Sequence, residues 1–132
     1  MGRTEQPRLV HLDTHVVIWL YEGRLEELSK TARALIEEGR CAISPMVRLE
    51  LQYLFEIGRN ERDADFVLAA LRQIMELEVS VASLDDVVKR GLGVSWTRDV
   101  FDRLIVAQAL HEDATLVTRD RRIRDNFSGA VW

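Results

Sequence analysis

Short apolar or alternating runs are interleaved along the chain with longer segments in which apolar residues recur every three to four positions. The short runs predict β-strands, and they lie at 8–13, 41–44, 77–83, 114–118 and 130–132. The longer segments predict helices, and they lie at 14–23, 24–38, 45–57, 64–76, 83–91 and 98–112. The polar stretch 119–126 is expected to be a connector or a short helix.

Strands and helices that alternate in this way are typical of an α/β fold with helices on both faces of the sheet. We therefore predict a three-layer α/β/α sandwich with a mainly parallel central sheet. No repeat, low-complexity tract or linker divides the sequence, and a length of 132 residues suits one domain over 1–132.

Composition narrows the class of protein. The hydrophobic fraction of 47% and the charged fraction of 30% are those of a soluble globular protein. No apolar run approaches the ~20 residues that cross a bilayer, and the N-terminal "MGRTEQPRLV" lacks the apolar stretch of a signal peptide. Cys41 is the only cysteine of the sequence, which excludes an internal disulfide and a multi-cysteine zinc site. We expect a cytoplasmic protein without membrane contact.

Acidic residues stand where predicted strands end or where helices begin. Ligands of parallel sheets bind beyond the carboxyl ends of the strands, so these acids are candidates for one site. They are Asp13, Glu50, Asp99, Asp102 and Asp120. Structural roles are also open to them, because Asp13 suits a helix cap and Asp120 a turn. Asp99 and Asp102 suit the N-cap and the third position of one helix. Glu50 suits an exposed position on its own helix.

Carboxylates that share a pocket repel one another unless a positive charge compensates them. A divalent cation is the simplest compensation, and oxygen donors alone select Mg²⁺ or Mn²⁺. Such ions activate water and support displacement at phosphorus, so the pattern indicates a metal-dependent phosphodiesterase. The histidines lie at no metal-binding spacing and are expected at the surface or in local packing: His11, His15 and His111.

Four segments of the chain resemble PIN domains, and most closely the VapC-like toxins of bacterial toxin–antitoxin pairs. They are "LDTHVVIWL", the helix with "RLEL", "RDVFDRLIVAQAL" and "LVTRD", in the order and approximate spacing of the family. The resemblance covers nearly the whole chain and implies a small α/β/α fold with a parallel sheet. It also implies a Mg²⁺- or Mn²⁺-dependent endoribonuclease that forms a homodimer and is restrained by a cognate antitoxin.

Matched position by position, the resemblance implies which residues carry the chemistry. The metal-binding and catalytic acids are Asp13, Glu50, Asp102 and Asp120. Asp99 matches an additional acid of one subgroup, and whether Asp99 or Asp102 lies nearer the ion is left open. Thr118 matches a hydroxyl residue that supports the site by hydrogen bonding. Water polarised by the ion attacks the phosphate, so no side-chain nucleophile is required.

The charge distribution is more informative than the net charge of −4. Setting the five candidate ligands aside from the 22 acidic residues leaves 17, against 18 basic residues. Basic residues concentrate next to Asp120, where they suit contacts with a phosphodiester strand. The candidates for RNA contact are Arg119, Arg121 and Arg122, with Arg124 nearby. The alternative is a solvated loop in which these arginines pair with Asp125.

Two other classes of function stay open. A phosphoryl-accepting, receiver-like signalling module also gathers acids beyond parallel strands. It requires a lysine near the last strand, and neither Lys30 nor Lys89, the two lysines of the sequence, is suitably placed. The other alternative is a binding protein that kept the PIN fold and lost catalysis.

The resemblance also implies that the antitoxin lays an apolar segment into a groove between helices and places an arginine in the acidic pocket. The helices at 24–38 and 45–57 are candidates for that groove. We nevertheless predict that most of their apolar residues belong to the core, among them Leu49, Tyr53, Leu54 and Phe55.

Overall fold

The computed structural model describes residues 6–132 and builds them around one five-stranded sheet. Its strands are β1 (Leu9–Leu12), β2 (Arg40–Ile43), β3 (Glu78–Val79), β4 (Thr115–Val117) and β5 (Ala130–Val131). The spatial order is β3-β2-β1-β4-β5, and all four neighbouring pairs are parallel. The N-terminal segment used above to argue against a signal peptide begins with residues 1–5, which lie outside the described residues.

In the described part of the chain, seven α-helices connect the strands. They are α1 (Thr14–Glu22), α2 (Lys30–Glu38), α3 (Pro45–Glu56), α4 (Ala64–Leu71), α5 (Leu84–Gly91), α6 (Val100–His111) and α7 (Arg121–Asn126). Each begins after an aspartate or serine whose side chain accepts a hydrogen bond from a first-turn amide, as N-cap residues do. These caps are Asp13, Ser29, Ser44, Asp63, Ser83, Asp99 and Asp120. Within residues 6–132, none of the helices combines the length and the apolar character needed to span a bilayer.

The order of the strands locates the place where a ligand is expected. From β1 the chain adds β2 and β3 on one side of the sheet, and it then adds β4 and β5 on the other side of β1. The strand order therefore reverses between β1 and β4. Right-handed crossovers then place α1–α4 on one face of the sheet and α5–α7 on the other. This arrangement confirms the predicted α/β fold with helices flanking a parallel sheet. In such sheets the crevice at the switch point, beyond the carboxyl ends of the strands, is the usual binding site.

The core lies on both faces of the central strands. Val10 and Leu12 of β1 and Leu116 of β4 are fully buried, and helical residues such as Leu51 and Ile105 cover them. On the long α6 helix, Val106 and Ala109 are buried as the apolar spacing after Asp102 predicts. This packing fixes which side of α6 meets the sheet, while the parallel crossover from β3 to β4 places the N-terminus of α6 at the carboxyl end of the strands.

Some predicted boundaries are wrong. The strand predicted at 77–83 covers only Glu78–Val79 because, after the amide of Ser80 donates to the Ile43 carbonyl at 2.9 Å, the chain leaves the sheet. Val81 is consequently 98% exposed. The helix predicted at 64–76 ends at Leu71, where tighter turns replace the α-helical pattern. The segment 24–38 divides into a 3₁₀ turn at Leu25–Glu27 and α2, because Ser29 is extended and caps α2.

The prediction that most apolar residues of α3 belong to the core is wrong for three of the four named residues. Leu54 is buried, whereas Leu49, Tyr53 and Phe55 are 54%, 46% and 38% exposed. The helix carries apolar residues around most of its circumference, and its buried stripe is formed by Val47, Leu51 and Leu54. Periodicity alone does not identify the buried face of such a helix.

Candidate metal centre

Asp13 follows β1 directly and lies at the switch point of the sheet. It is 7% exposed, and both of its carboxylate oxygens accept hydrogen bonds. The Thr14 amide donates to Oδ1 at 2.8 Å, and the Thr118 hydroxyl donates to Oδ2 at 2.6 Å. Asp13 is therefore both the cap of α1 and a rigidly held carboxylate at the end of the sheet.

Thr118 connects two of the predicted site residues. Its fully buried hydroxyl donates to Asp13 and accepts from the backbone amide of Asp120 at 3.1 Å. Asp120 in turn caps α7, because its Oδ1 accepts from the Ile123 amide at 2.9 Å. One threonine thus fixes the distance between the acid after β1 and the acid after β4.

Glu50 reaches the same place from the second turn of α3. The hydroxyl of Thr14 donates to its Oε1 at 2.5 Å, although the two residues lie 36 positions apart in sequence. Within the described residues, Glu50 forms no ion pair with Arg48, which lies two positions earlier on α3. Arg48 instead donates to Asp65 at 2.8 Å. Thr14 is a site residue that the sequence analysis missed.

Asp99 and Asp102 lie at the N-terminus of α6. Asp99 is the N-cap, and its Oδ1 accepts from the Asp102 amide at 3.1 Å, so the structural interpretation of this pair is correct. Both side chains also line the pocket that contains the other acids. Among residues 6–132, no hydrogen bond to the Asp102 carboxylate is present, whereas the Asp99 carboxylate is engaged in capping.

One pocket of about 340 Å³ collects all five predicted acids. Its remaining lining residues are His15, Val16, Trp19 and Arg119. Neither lysine of the sequence lines this pocket, and Lys89 pairs with Asp85 on α5 instead. The pocket therefore lacks the lysine that the receiver-like alternative requires.

The acids raise one another's proton affinity. Burial raises the pKa of Asp13 and of Glu50 above their usual ranges, and hydrogen bonds from Thr118 and Thr14 oppose this only in part. Burial also raises the pKa of Asp102 to about 7, with further contributions from the charges of the other four acids. Like charges that are partly removed from water favour the neutral form. The pocket is thus a concentration of negative charge without sufficient compensation.

The candidate ligands of the pocket are carboxylate oxygens, which are the donors that hard divalent cations such as Mg²⁺ prefer. Within residues 6–132, however, no three acidic, histidine or cysteine side chains already form a group arranged to hold an ion. Binding therefore requires side-chain rotation or bridging water. Asp102 is suited to such rotation because no hydrogen bond restrains its carboxylate in the described chain.

Of the predicted RNA-contacting arginines, the pocket includes Arg119 alone among the described residues. Its Nη1 lies 3.1 Å from Glu27 Oε2, and its guanidinium lies 5.8 Å from the Trp19 ring centroid. Arg122 donates to the Trp96 carbonyl, and Arg124 donates to the Arg119 carbonyl at 3.1 Å. Arg121 is exposed at the start of α7.

The histidines differ in their surroundings. His11 is fully buried, and its Nε2 lies 3.1 Å from Glu112 Oε1, which also accepts from the Ser80 hydroxyl. Burial lowers the pKa of His11, so its role is local packing. His15 lines the acidic pocket, and its charge lowers the pKa of Asp13 and Glu50. His15 is thus a pocket residue whose position in the sequence gives no sign of this role.

The model of the PIN domain family matches residues 10–126. Over 120 residues the chain is 33% identical to "Ribonuclease VapC22" of Mycobacterium tuberculosis, covering 89% of this chain and 91% of that protein.

Solved structures share the fold. VapBC2 from Rickettsia felis bound to a promoter DNA fragment superposes with a TM-score of 0.63 at 21% identity, over 89% of this chain and 92% of that one. A toxin–antitoxin complex from Klebsiella pneumoniae gives a TM-score of 0.62 at 19% identity, over 93% and 96% of the two chains.

Proposed function

The chain belongs to the PIN domain family, and on that premise we propose that it is an endoribonuclease, the toxin of a type II toxin–antitoxin pair. The observation that carries the proposal is the convergence of five carboxylates on one pocket at the switch point of a parallel sheet. A cognate antitoxin is the proposed partner and RNA the proposed substrate. Metal dependence, with Mg²⁺ or Mn²⁺, is part of the proposal.

The proposed ligands of the ion are Asp13, Glu50, Asp99, Asp102 and Asp120. Asp102 is the closer ligand of the α6 pair, because the carboxylate of Asp99 is already engaged by the helix N-terminus. When bound, the ion polarises the attacking water and offsets charge that develops on the phosphate. Thr118 and Thr14 hold Asp13 and Glu50 in place by donating to their carboxylates.

The attacking group is water, since the described residues that line the pocket offer no hydroxyl, thiol or amine nucleophile and its carboxylates are the proposed ligands of the ion. The residues that line it include no serine, threonine, cysteine or lysine among the described ones. The two nearest hydroxyls, those of Thr14 and Thr118, each donate to a carboxylate. Arg119 is positioned to receive a phosphate of the RNA strand if it exchanges its contact with Glu27.

The function is tested by expressing the chain in bacteria and sequencing the ends of cellular RNA. The proposal predicts discrete internal cleavage sites, which also identify the RNA target. The same sites must be missing when Asp120→Asn is expressed at equal level, and must diminish when the antitoxin is co-expressed. An identical set of RNA ends from wild type and Asp120→Asn would show that the cleavage comes from another enzyme.

Replacing Thr118 by valine is expected to weaken Mn²⁺ binding by about tenfold to a hundredfold, as is usual when a partner of a metal ligand is lost. Valine fills the same volume but removes the hydroxyl that connects Asp13 with the Asp120 amide. Calorimetric titration with Mn²⁺ measures the effect, and Thr118→Ser, which keeps the hydroxyl, serves as the control. Equal affinities for the valine and serine variants would exclude this role of Thr118.

A further inference from the structure

A tryptophan side chain lies on the rim of the acidic pocket, where the metal-site chemistry gives it no role. Trp19 is half-buried, lines the pocket, and follows His15 by about one turn of α1. Asp13, the cap of the same helix, lies six residues before Trp19, which is about 9 Å along the helix axis. Trp19 therefore stands beside the proposed ion site and is not part of it.

Trp132 packs against Trp19. The two ring centroids are 5.9 Å apart, and the angle of 55° between the rings means that Trp132 does not cover the indole by parallel stacking. Trp132 directly follows β5, and because β5 runs parallel to β4, its carboxyl end lies at the same edge of the sheet as Asp120. The contact holds the indole of Trp19 in place. A ring that is already held loses little freedom when a base stacks on it.

Arg119 places a positive charge next to the same ring. Its guanidinium carbon lies 5.8 Å from the ring centroid of Trp19, and its side chain is 58% exposed. The ion pair with Glu27 is also partly exposed, so it contributes little to stability and its exchange for a phosphate costs little. Proteins that bind single-stranded nucleic acid combine basic side chains for the backbone with aromatic rings for the bases. Trp19 and Arg119 are such a pair.

We propose that Trp19 is a substrate-binding residue, on which a base of the RNA stacks next to the nucleotide whose phosphate lies at the ion. The carboxylates of the pocket repel the phosphates of the strand, so affinity for the strand must come from the ion and from the rim. The inference rests on the proposed ribonuclease activity and adds to it a residue that positions the strand.

RNAs in which single nucleotides near the cleaved bond are made abasic test the stacking. At one position, loss of the base is expected to lower kcat/KM of wild type by about tenfold. Trp19→Leu is expected to cause a similar loss on intact RNA and none on that abasic RNA, whereas Trp19→Phe keeps an aromatic ring and most of the activity. The matched control is Trp96→Leu, because Trp96 is also half-buried against the core but lies outside the acidic pocket. It is expected to treat intact and abasic RNA as wild type does.

Tryptophan fluorescence gives a second readout, which does not depend on the rate of cleavage. Rapid mixing of wild type with intact RNA is expected to quench the emission before cleavage proceeds, and the abasic RNA is expected to quench it less. Trp19→Phe is expected to remove most of this difference. Thermal melts verify that each variant is folded, and the comparison of the two RNAs on wild type requires no variant.

Two results overturn the inference while the ribonuclease activity stands. One is a loss in Trp19→Leu that is equal on intact and abasic RNA at every position, because the residue then acts through folding alone. The other is equal quenching of wild type by intact RNA and by every abasic RNA. A wild-type chain that cuts none of these RNAs in Mg²⁺ overturns the proposed function, and this inference with it.

Discussion

Asp13→Asn is expected to slow RNA cleavage by at least about a thousandfold while leaving the chain folded. Asp13 is the most buried of the five acids, and both of its carboxylate oxygens are held by hydrogen bonds at the proposed ion site. Asparagine keeps the volume and the ability to cap α1. The substitution therefore removes the charge that attracts the ion without removing the support for the helix.

The matched control is Asp63→Asn. Asp63 is likewise an N-cap, of α4, where its carboxylate accepts from the Phe66 amide at 2.9 Å, but it lies outside the acidic pocket. Initial rates on a defined RNA, together with thermal melts, separate loss of activity from loss of folding. The role of Asp13 is disproved if both variants cleave at the wild-type rate, or if Asp13→Asn is inactive only because it unfolds.

Asp102→Asn is expected to stabilise the ion-free chain at pH 8. Well below pH 4, by about pH 3, the carboxyl is mostly protonated in both folded and unfolded chains, so it contributes almost nothing to the free energy of unfolding. As pH rises towards the folded pKa of about 7, the unfolded chain ionises first and the folded chain loses stability. Above pH 7 the ionised Asp102 lowers the free energy of unfolding by its full amount. Asparagine carries no charge, so we expect the free energy of unfolding of Asp102→Asn to exceed that of wild type by about 1–2 kcal/mol after allowing for solvent screening.

Thermal melts at pH 5 and pH 8 measure this effect. The gain corresponds to a rise in Tm of about 3–6 °C at pH 8 and a smaller rise at pH 5. Excess Mg²⁺ is expected to raise the Tm of wild type more than that of Asp102→Asn, because the ion neutralises the same charge. The control is Asp86→Asn, at the equivalent third position of α5, which is expected to leave the Tm unchanged. A gain that is independent of pH would contradict the electrostatic explanation.

The sequence was sufficient to predict the α/β fold and the convergence of the acids. Strands alternate with helices, and in a parallel sheet the residues after β1 and β4 must reach the same edge. The positions of Asp13 and Asp120 follow from this rule alone. The N-terminus of α6 faces that edge because α6 lies on the parallel crossover from β3 to β4, and burial of Val106 and Ala109 sets which side of the helix meets the sheet.

Other features depend on contacts between distant parts of the chain. The hydrogen bond from Thr14 to Glu50 joins α1 to α3, and no local pattern predicts it. The exposure of Leu49 and Tyr53 depends on which side of α3 meets its neighbours. The early end of β3 has a similar cause, because Val81 fits the alternation of a strand but the chain must turn there to reach Ser83.

The central claim is that the acidic pocket binds a divalent ion and that the ion is required for RNA cleavage. The most direct test follows cleavage of a defined RNA by the purified chain in Mg²⁺, in excess chelator, and after Mg²⁺ is returned. We expect cleavage in the first condition, none in the second, and recovery in the third. Cleavage at an unchanged rate in chelator would contradict it, and so would an intact chain that leaves RNA uncut in all three.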